Sequence, residues 1–332
     1  QLRKVADHFN RSTLFFLETG PVTAEQVHTP QFRTIANQKP DISPKVRAII
    51  ERVERQRDIY LSLLEAIDDS DAPRFDPPVF PTKNVQQAAK IARQWLDLST
   101  ANDFATYRSA VESKGVLVFR SNGYSGPWQI PKTDPICGFT VYDAKCPVIV
   151  VKKMAAETRQ VFTLMHELGH VLLHRKSFID DAEDLYSHQG REKDANAFAG
   201  LLLVPDKKVD EVDIDAKPRD VSQYDNWLRP LTRELGVSPE VVLLRLLDSG
   251  QIGRADYDNY RDWRAKQPIP AGDNGNRMWR HREPKHVFGD SFVGVVLDGL
   301  HAKQITLTKA STYLDNLKIS DLHRLEAFYA GP

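Results

Sequence analysis

Residues 158–174 read TRQVFTLMHELGHVLLH, the strongest pattern in the chain. Val161, Leu164, Leu168, Val171 and Leu172 recur at helical spacing, and Phe162, Met165 and Leu173 cover much of the remaining circumference. A helix apolar nearly all round is a buried helix. His166 and His170 are four positions apart, so they stand one turn apart on one face, where both rings reach a single ion. Glu167 projects about 100° around the axis, beside the coordination sphere rather than inside it. Catalytic zinc sites use three protein ligands and a water whose pKa the metal lowers, and a neighbouring carboxylate can take that water's proton. A chance HExxH is expected in on the order of one chain in fifty of this length. Three polar groups inside an apolar helix need partners, and a metal supplies one.

The third ligand is less local. His174 lies eight residues past His166, about 12 Å along a helix axis, too far to share its ion. It is expected at the surface or as a partner of the helix C-terminus. No third His follows a glycine turn, so the ligand must come from another segment. REKDANAFAGLLLVP (191–205) places Glu192 in line with Asn196 on a helix whose Ala195 and Ala199 allow close approach. Asn196 is then positioned to orient a ligating histidine. Glu192 also belongs to the charged run 191–194, so spacing leaves Asp194, Asp184 and Glu183 as alternatives. The loop carrying Asp180, Asp181, Glu183 and Asp184 reads as a solvated acidic lid.

Outward from this motif, GVLVFRSNGYSG, ICGFTVYD and CPVIVVKK are short β-branched and aromatic runs broken by turn residues, predicting a small antiparallel sheet of about three strands. Ser43-Pro44 caps a long amphipathic helix carrying Val46, Ile49, Ile50, Val53, Tyr60 and Leu64. A Pro- and Asp-rich stretch over 70–84 separates it from two further helices, around Ala88–Leu96 and Phe104–Val111. Residues 221–263 and 292–328 read as helical, with a Pro-, Gly- and Asn-rich loop over 268–276 between them. The division expected is a helical region over 1–75, a catalytic domain over 84–210 and a helical region over 220–332.

With 45 basic and 45 acidic residues in 332, no global field draws the chain toward nucleic acid or anionic lipid. The most basic local cluster, NRMWRHREPKH, sets Arg277, Arg280, Arg282 and Lys285 among Trp279, His281 and His286. A nucleic-acid or phosphate contact there is the less common outcome for such a loop. The two cysteines, Cys137 and Cys146, form no CxxC pair, which argues against a thiolate site and a disulfide scaffold and favours the cytoplasm. The first residues do not follow the basic, apolar and small-residue order of a secretory signal, and no segment approaches 18 uninterrupted apolar residues.

In combination, CPVIVVKK, RQVFTLMHELGHVLLH and EKDANAFAGLLLVP resemble the ImmA/IrrE family of bacterial and phage metallopeptidases over about residues 90–205. The resemblance implies an α+β, gluzincin-like core with helical extensions. It implies zinc held by His166, His170 and Glu192, with Glu167 as catalytic acid/base. It also implies a protein substrate, a helix-turn-helix repressor or an antitoxin encoded nearby. The alternatives are a regulator or sensor that binds without cleaving, and the toxin of a toxin–antitoxin pair. Residues 1–17 resemble the last helix of a DNA-binding helix-turn-helix that would precede Gln1, and DNA contact is expected only through such a module.

Overall fold

The computed structural model describes residues 38, 42–68, 72–98, 101–123, 126–187, 189–268 and 277–331. The helix expected over residues 1–17 and most of the 268–276 loop lie outside them.

The first described helix, α1 (Pro44–Ile67), starts where Ser43 caps it, its side chain accepting from the Val46 amide at 3.3 Å. Next come α2 (Val85–Leu96) and α3 (Phe104–Glu112), opened by Asn84 and by the Asp103–Thr106 capping box. Three strands follow, β1 (Leu117–Arg120), β2 (Ile136–Val141) and β3 (Val148–Val151). The motif helix α4 (Glu157–Gly169) runs directly into a π-helical turn, His170–His174, and then β4 (Phe178–Asp181). Beyond these lie α5 (Gly190–Leu203), α6 (Asp206–Asp210), α7 (Tyr224–Trp227), α8 (Arg229–Leu235), α9 (Pro239–Asp248) and α10 (Arg254–Ala265). The described chain ends in α11 (Glu283–His301), α12 (Leu307–Tyr313) and α13 (Ile319–Ala330).

The fold is α+β, but its sheet has four strands in the order β1-β3-β2-β4 and is mixed rather than antiparallel. β2 pairs antiparallel with β3 and β4, whereas β1 pairs parallel with β3. The β2–β3 connection is a short turn in which Asp143 Oδ1 accepts from the Lys145 and Cys146 amides, so that hairpin is locally encoded. The position of β1 across β3 is a long-range choice. β4 escapes the pattern because its sequence, FIDD, ends in two aspartates, residue types depleted in strands.

Helices cover both faces of the sheet. Leu117, Phe119, Phe139, Val148 and Val150 pack with α1 and α11, and Phe119 meets Trp128, Phe288 and Phe292 edge-on. Val118, Ile149 and Val151 face the layer containing α4 and α5. A sheet buried on both sides explains the unbroken VIVV of β3. Both cysteines are buried and unpaired. No helix among the described residues is long and apolar enough to cross a membrane. The basic segment before α11 is internally engaged: Arg282 lies over the Trp279 and Phe328 rings, and Lys285 pairs with Asp290 at 2.9 Å.

Candidate metal centre

His166 and Glu167 on helix α4 and His170, the first residue of the π-turn, are completely buried, along with Gln160 and Thr163 of α4. The two histidines turn their Nε2 atoms toward each other at 3.1 Å. From α5, Glu192 brings Oε2 to 3.3 Å from both Nε2 atoms. The close helix crossing this requires is made at Gly169, where a Cβ would stand 3.3 Å from Ala195 Cα and from the Phe198 ring. Small residues at the crossing therefore set how near Glu192 comes, as the alanine pattern of α5 predicts.

One turn along α5, Asn196 accepts at Oδ1 from His166 Nδ1 (2.8 Å). Its Nδ2 donates to the Asp184 and Ser187 carbonyls at 2.9 and 3.2 Å, which fixes the amide orientation. The Nδ1–H of His166 is thereby held toward Asn196, and Nε2 faces the cluster.

His174 departs from expectation. The π-turn ends with the Arg175 amide donating to the His170 carbonyl at 3.0 Å, and the wider turn sets the His174 Nδ1 2.9 Å from His170 Nδ1. Burial, then the neighbouring His170 and Arg191, pushes His174 down to about 4, so its ring is neutral and can accept from His170. His174 is neither a surface group nor a fifth member of the cluster; it orients His170. The Phe178 ring stacks on His170 from the other side at 4.1 Å.

Asp180 also departs from expectation. The acidic loop is not wholly a solvated lid: Asp180 is 1% exposed, and its Oδ2 lies 3.6 Å from His166 Nε2 and 3.4 Å from His170 Nε2. Asp184 and Glu183 serve the adjoining turn instead, Asp184 Oδ2 accepting from the Asp181 amide and Glu183 donating its amide to Asp181 Oδ1. Asp180 was inconspicuous among the acidic residues of its loop, and its burial is a tertiary fact; Glu192 was the preferred third ligand on spacing, and it is the helix crossing that brings it to the histidines.

The residues fit a metal cation. Four ligand atoms, one each from His166, His170, Asp180 and Glu192, lie within 4.8 Å of one another. Asp180 Oδ2 and Glu192 Oε2 accept no hydrogen bond among the described residues. Converging acceptors without donors, mostly buried, require positive charge. Burial alone would depress His166, but the Asp180 and Glu192 carboxylates beside it raise it to about 9.

Glu167 stands beside this group. Thr140 on β2 donates its hydroxyl to Glu167 Oε2 at 2.7 Å, and Oε1 has no hydrogen-bond partner among the described residues. Gly138, two residues earlier on the same face, makes the space: a Cβ there would lie 2.6 Å from Oε1. Burial, then the Asp180 carboxylate, holds Glu167 well above the ordinary carboxyl range, while the Thr140 hydrogen bond opposes them. Gly138 was not singled out in the sequence, although a lone Gly in an apolar strand is a signal that could have marked this close approach.

Residues 132–247 match the IrrE N-terminal-like domain of the M78 peptidases. This region is an ImmA/IrrE-family metallopeptidase domain. The match takes in β2, the metal cluster and α9, extending past the last motif residue recognised in the sequence. No curated protein matches the chain. Within the ImmA/IrrE domain, a cavity of about 390 Å³ adjoins α4, lined by Phe162, Tyr186, Val241, Tyr257 and Tyr260. Phe162 links it to the cluster, its ring 6.5 Å from that of His166. A larger cavity of about 740 Å³, bordered by Arg93, Leu201 and Lys207, lies at the far end of α5 from Glu192.

Proposed function

We propose that this chain is a zinc-dependent endopeptidase that cleaves a protein partner, a helix-turn-helix repressor or an antitoxin encoded beside it. The observation that carries the reading is the convergence of His166, His170 and Glu192 at 3.1–3.3 Å with the free Oε1 of Glu167 alongside. His166, His170 and Glu192 would hold the ion, and Asn196 and His174 would hold the two rings. When bound, zinc supplies Lewis acidity toward the scissile carbonyl and makes a nearby water more acidic. Glu167 takes a proton from the attacking water as its oxygen bonds to the carbonyl carbon, then delivers that proton to the leaving amine as the C–N bond breaks. Thr140 keeps Glu167 oriented by occupying its other oxygen. The aromatic cavity beside Phe162 is suited to an apolar side chain of the substrate.

The test is to mix the purified protein with the product of its neighbouring helix-turn-helix gene and zinc. Defined fragments are expected, with Glu167→Gln slowing their appearance by about 10²–10⁴-fold. An intact neighbour, or equal cleavage by the variant, overturns the proposal. The Asp180 carboxylate among the ligand atoms favours a second reading, in which the metal domain binds its partner without cleaving it. Stable complex formation by wild type and Glu167→Gln alike, without fragments, would select that reading.

A further inference from the structure

Resting on the reading of the cluster as a metal site, we infer that Asp180 is a fourth protein ligand, so that in this conformation the chain closes the coordination sphere by itself. Tetrahedral zinc with bonds of roughly 2.0–2.1 Å requires ligand atoms roughly 3.3–3.4 Å apart. His166 Nε2 and His170 Nε2 are 3.1 Å apart, Glu192 Oε2 is 3.3 Å from each, and Asp180 Oδ2 is 3.6 and 3.4 Å from them. Five of the six edges of a tetrahedron are thus present at the right length, and two of the five belong to Asp180. Its Oδ2 is buried and accepts no hydrogen bond among the described residues, as a ligand atom would.

The backbone around Asp180 is held on both sides. Toward the sheet, Asp180 is paired with Gly138 of β2. On the outer edge, Gln38 acts as a peptide group would, donating Nε2 to the Ser177 carbonyl at 2.8 Å and accepting from the Ile179 amide at 3.3 Å. The next outward amide, Asp181, donates to Asp184 Oδ2 at 2.9 Å. Asp180 is therefore presented by a fixed strand. Structural zinc sites have four protein ligands, whereas catalytic ones leave a position for water. The conformation seen is a closed, resting form, and hydrolysis requires the Asp180 carboxylate to rotate off the ion while its strand stays in place.

The experiment compares wild type with Asp180→Asn, which keeps the volume, and Asp180→Ala, each verified as folded by circular dichroism. Metal-free protein is titrated with Zn²⁺ against a chromophoric chelator. It is then loaded with Co²⁺ for visible spectra and with Mn²⁺ for water-proton relaxation. In wild type, little exchangeable water is expected on the ion. In Asp180→Ala, relaxivity rises, the cobalt bands shift, and affinity falls by at least the ~10–100-fold caused by losing an outer-shell partner. Equal affinity, spectra and relaxivity in all three proteins overturn the role of Asp180 while leaving the metal site intact. A wild type that binds no metal, and whose titration His166→Ala does not alter, overturns the site itself.

Discussion

Strand β2 builds two different regions with alternate residues. Phe139 and Val141 enter the apolar layer beneath α1 and α11. Gly138 and Thr140 face α4, where they serve the carboxylate of Glu167, one by absence of a side chain and one by a hydroxyl. The apolar face gains stability in proportion to the area it buries. The α4 face gathers two imidazoles and three carboxyl groups, and burial of such charge is unfavourable unless a cation joins them. Both sides of the sheet are thus packed, but only the α4 side carries, inside its apolar layer, a polar cluster that could hold a metal.

Substitutions on the two faces should separate stability from chemistry. The largest effect is expected for Phe139→Ala, a fully buried ring whose loss costs about 3–5 kcal/mol in denaturant unfolding. Zinc affinity of the folded fraction should be unchanged; a parallel loss of affinity would mean that the two faces are not independent. Gly138→Ala should show the opposite pattern. A Cβ 2.6 Å from Glu167 Oε1 must displace the carboxylate, and a misplacement near 1 Å is worth about 10²-fold in turnover. Metal affinity should change little, and retained peptidase activity would break the assignment of Glu167.

Smaller still is Asn196→Ala, which frees the His166 ring and should weaken zinc by about 10–100-fold in chelator competition. The smallest effect lies away from the metal. On α11, the His286 Nδ1 sits 2.6 Å from Arg120 Nη2. Burial, then Arg120, Lys153 and Arg108, holds His286 down to about 3. Because the unfolded imidazole titrates near 6.5, the unfolded chain binds the extra proton first as pH falls. This contribution to stability is full above about 6.5 and is lost progressively toward 3. The His286→Gln variant should have a flatter profile of unfolding free energy across that window, and an unchanged slope would refute the assignment.

Legibility in the sequence followed the range of the interaction. Ser43-Pro44 announced a helix start because a cap acts within three residues. The β2–β3 hairpin was visible through its turn, while the parallel pairing of β1 was not, because nothing local to β1 specifies a partner. The segment FIDD carried too little apolar pattern to read as a strand, since one of its inward positions is used for Asp180 rather than for packing. His174 was read only against His166, eight residues away and out of reach; its contact with His170, four residues away, was within helical spacing but was not drawn.

What the sequence by itself determined is the part governed by the α-helical repeat. His166 and His170 stand on one face and Glu167 beside them, and Glu192 and Asn196 likewise share a face of α5. Resemblance to a family joined those two helices before any coordinates did. Only the tertiary structure decided that Asp180 completes the cluster, that Thr140 and Gly138 hold Glu167, and that His174 steadies His170. These residues come from a short strand, a sheet interior and an irregular turn, and they meet through sheet register and helix crossing, which no periodicity along one segment encodes.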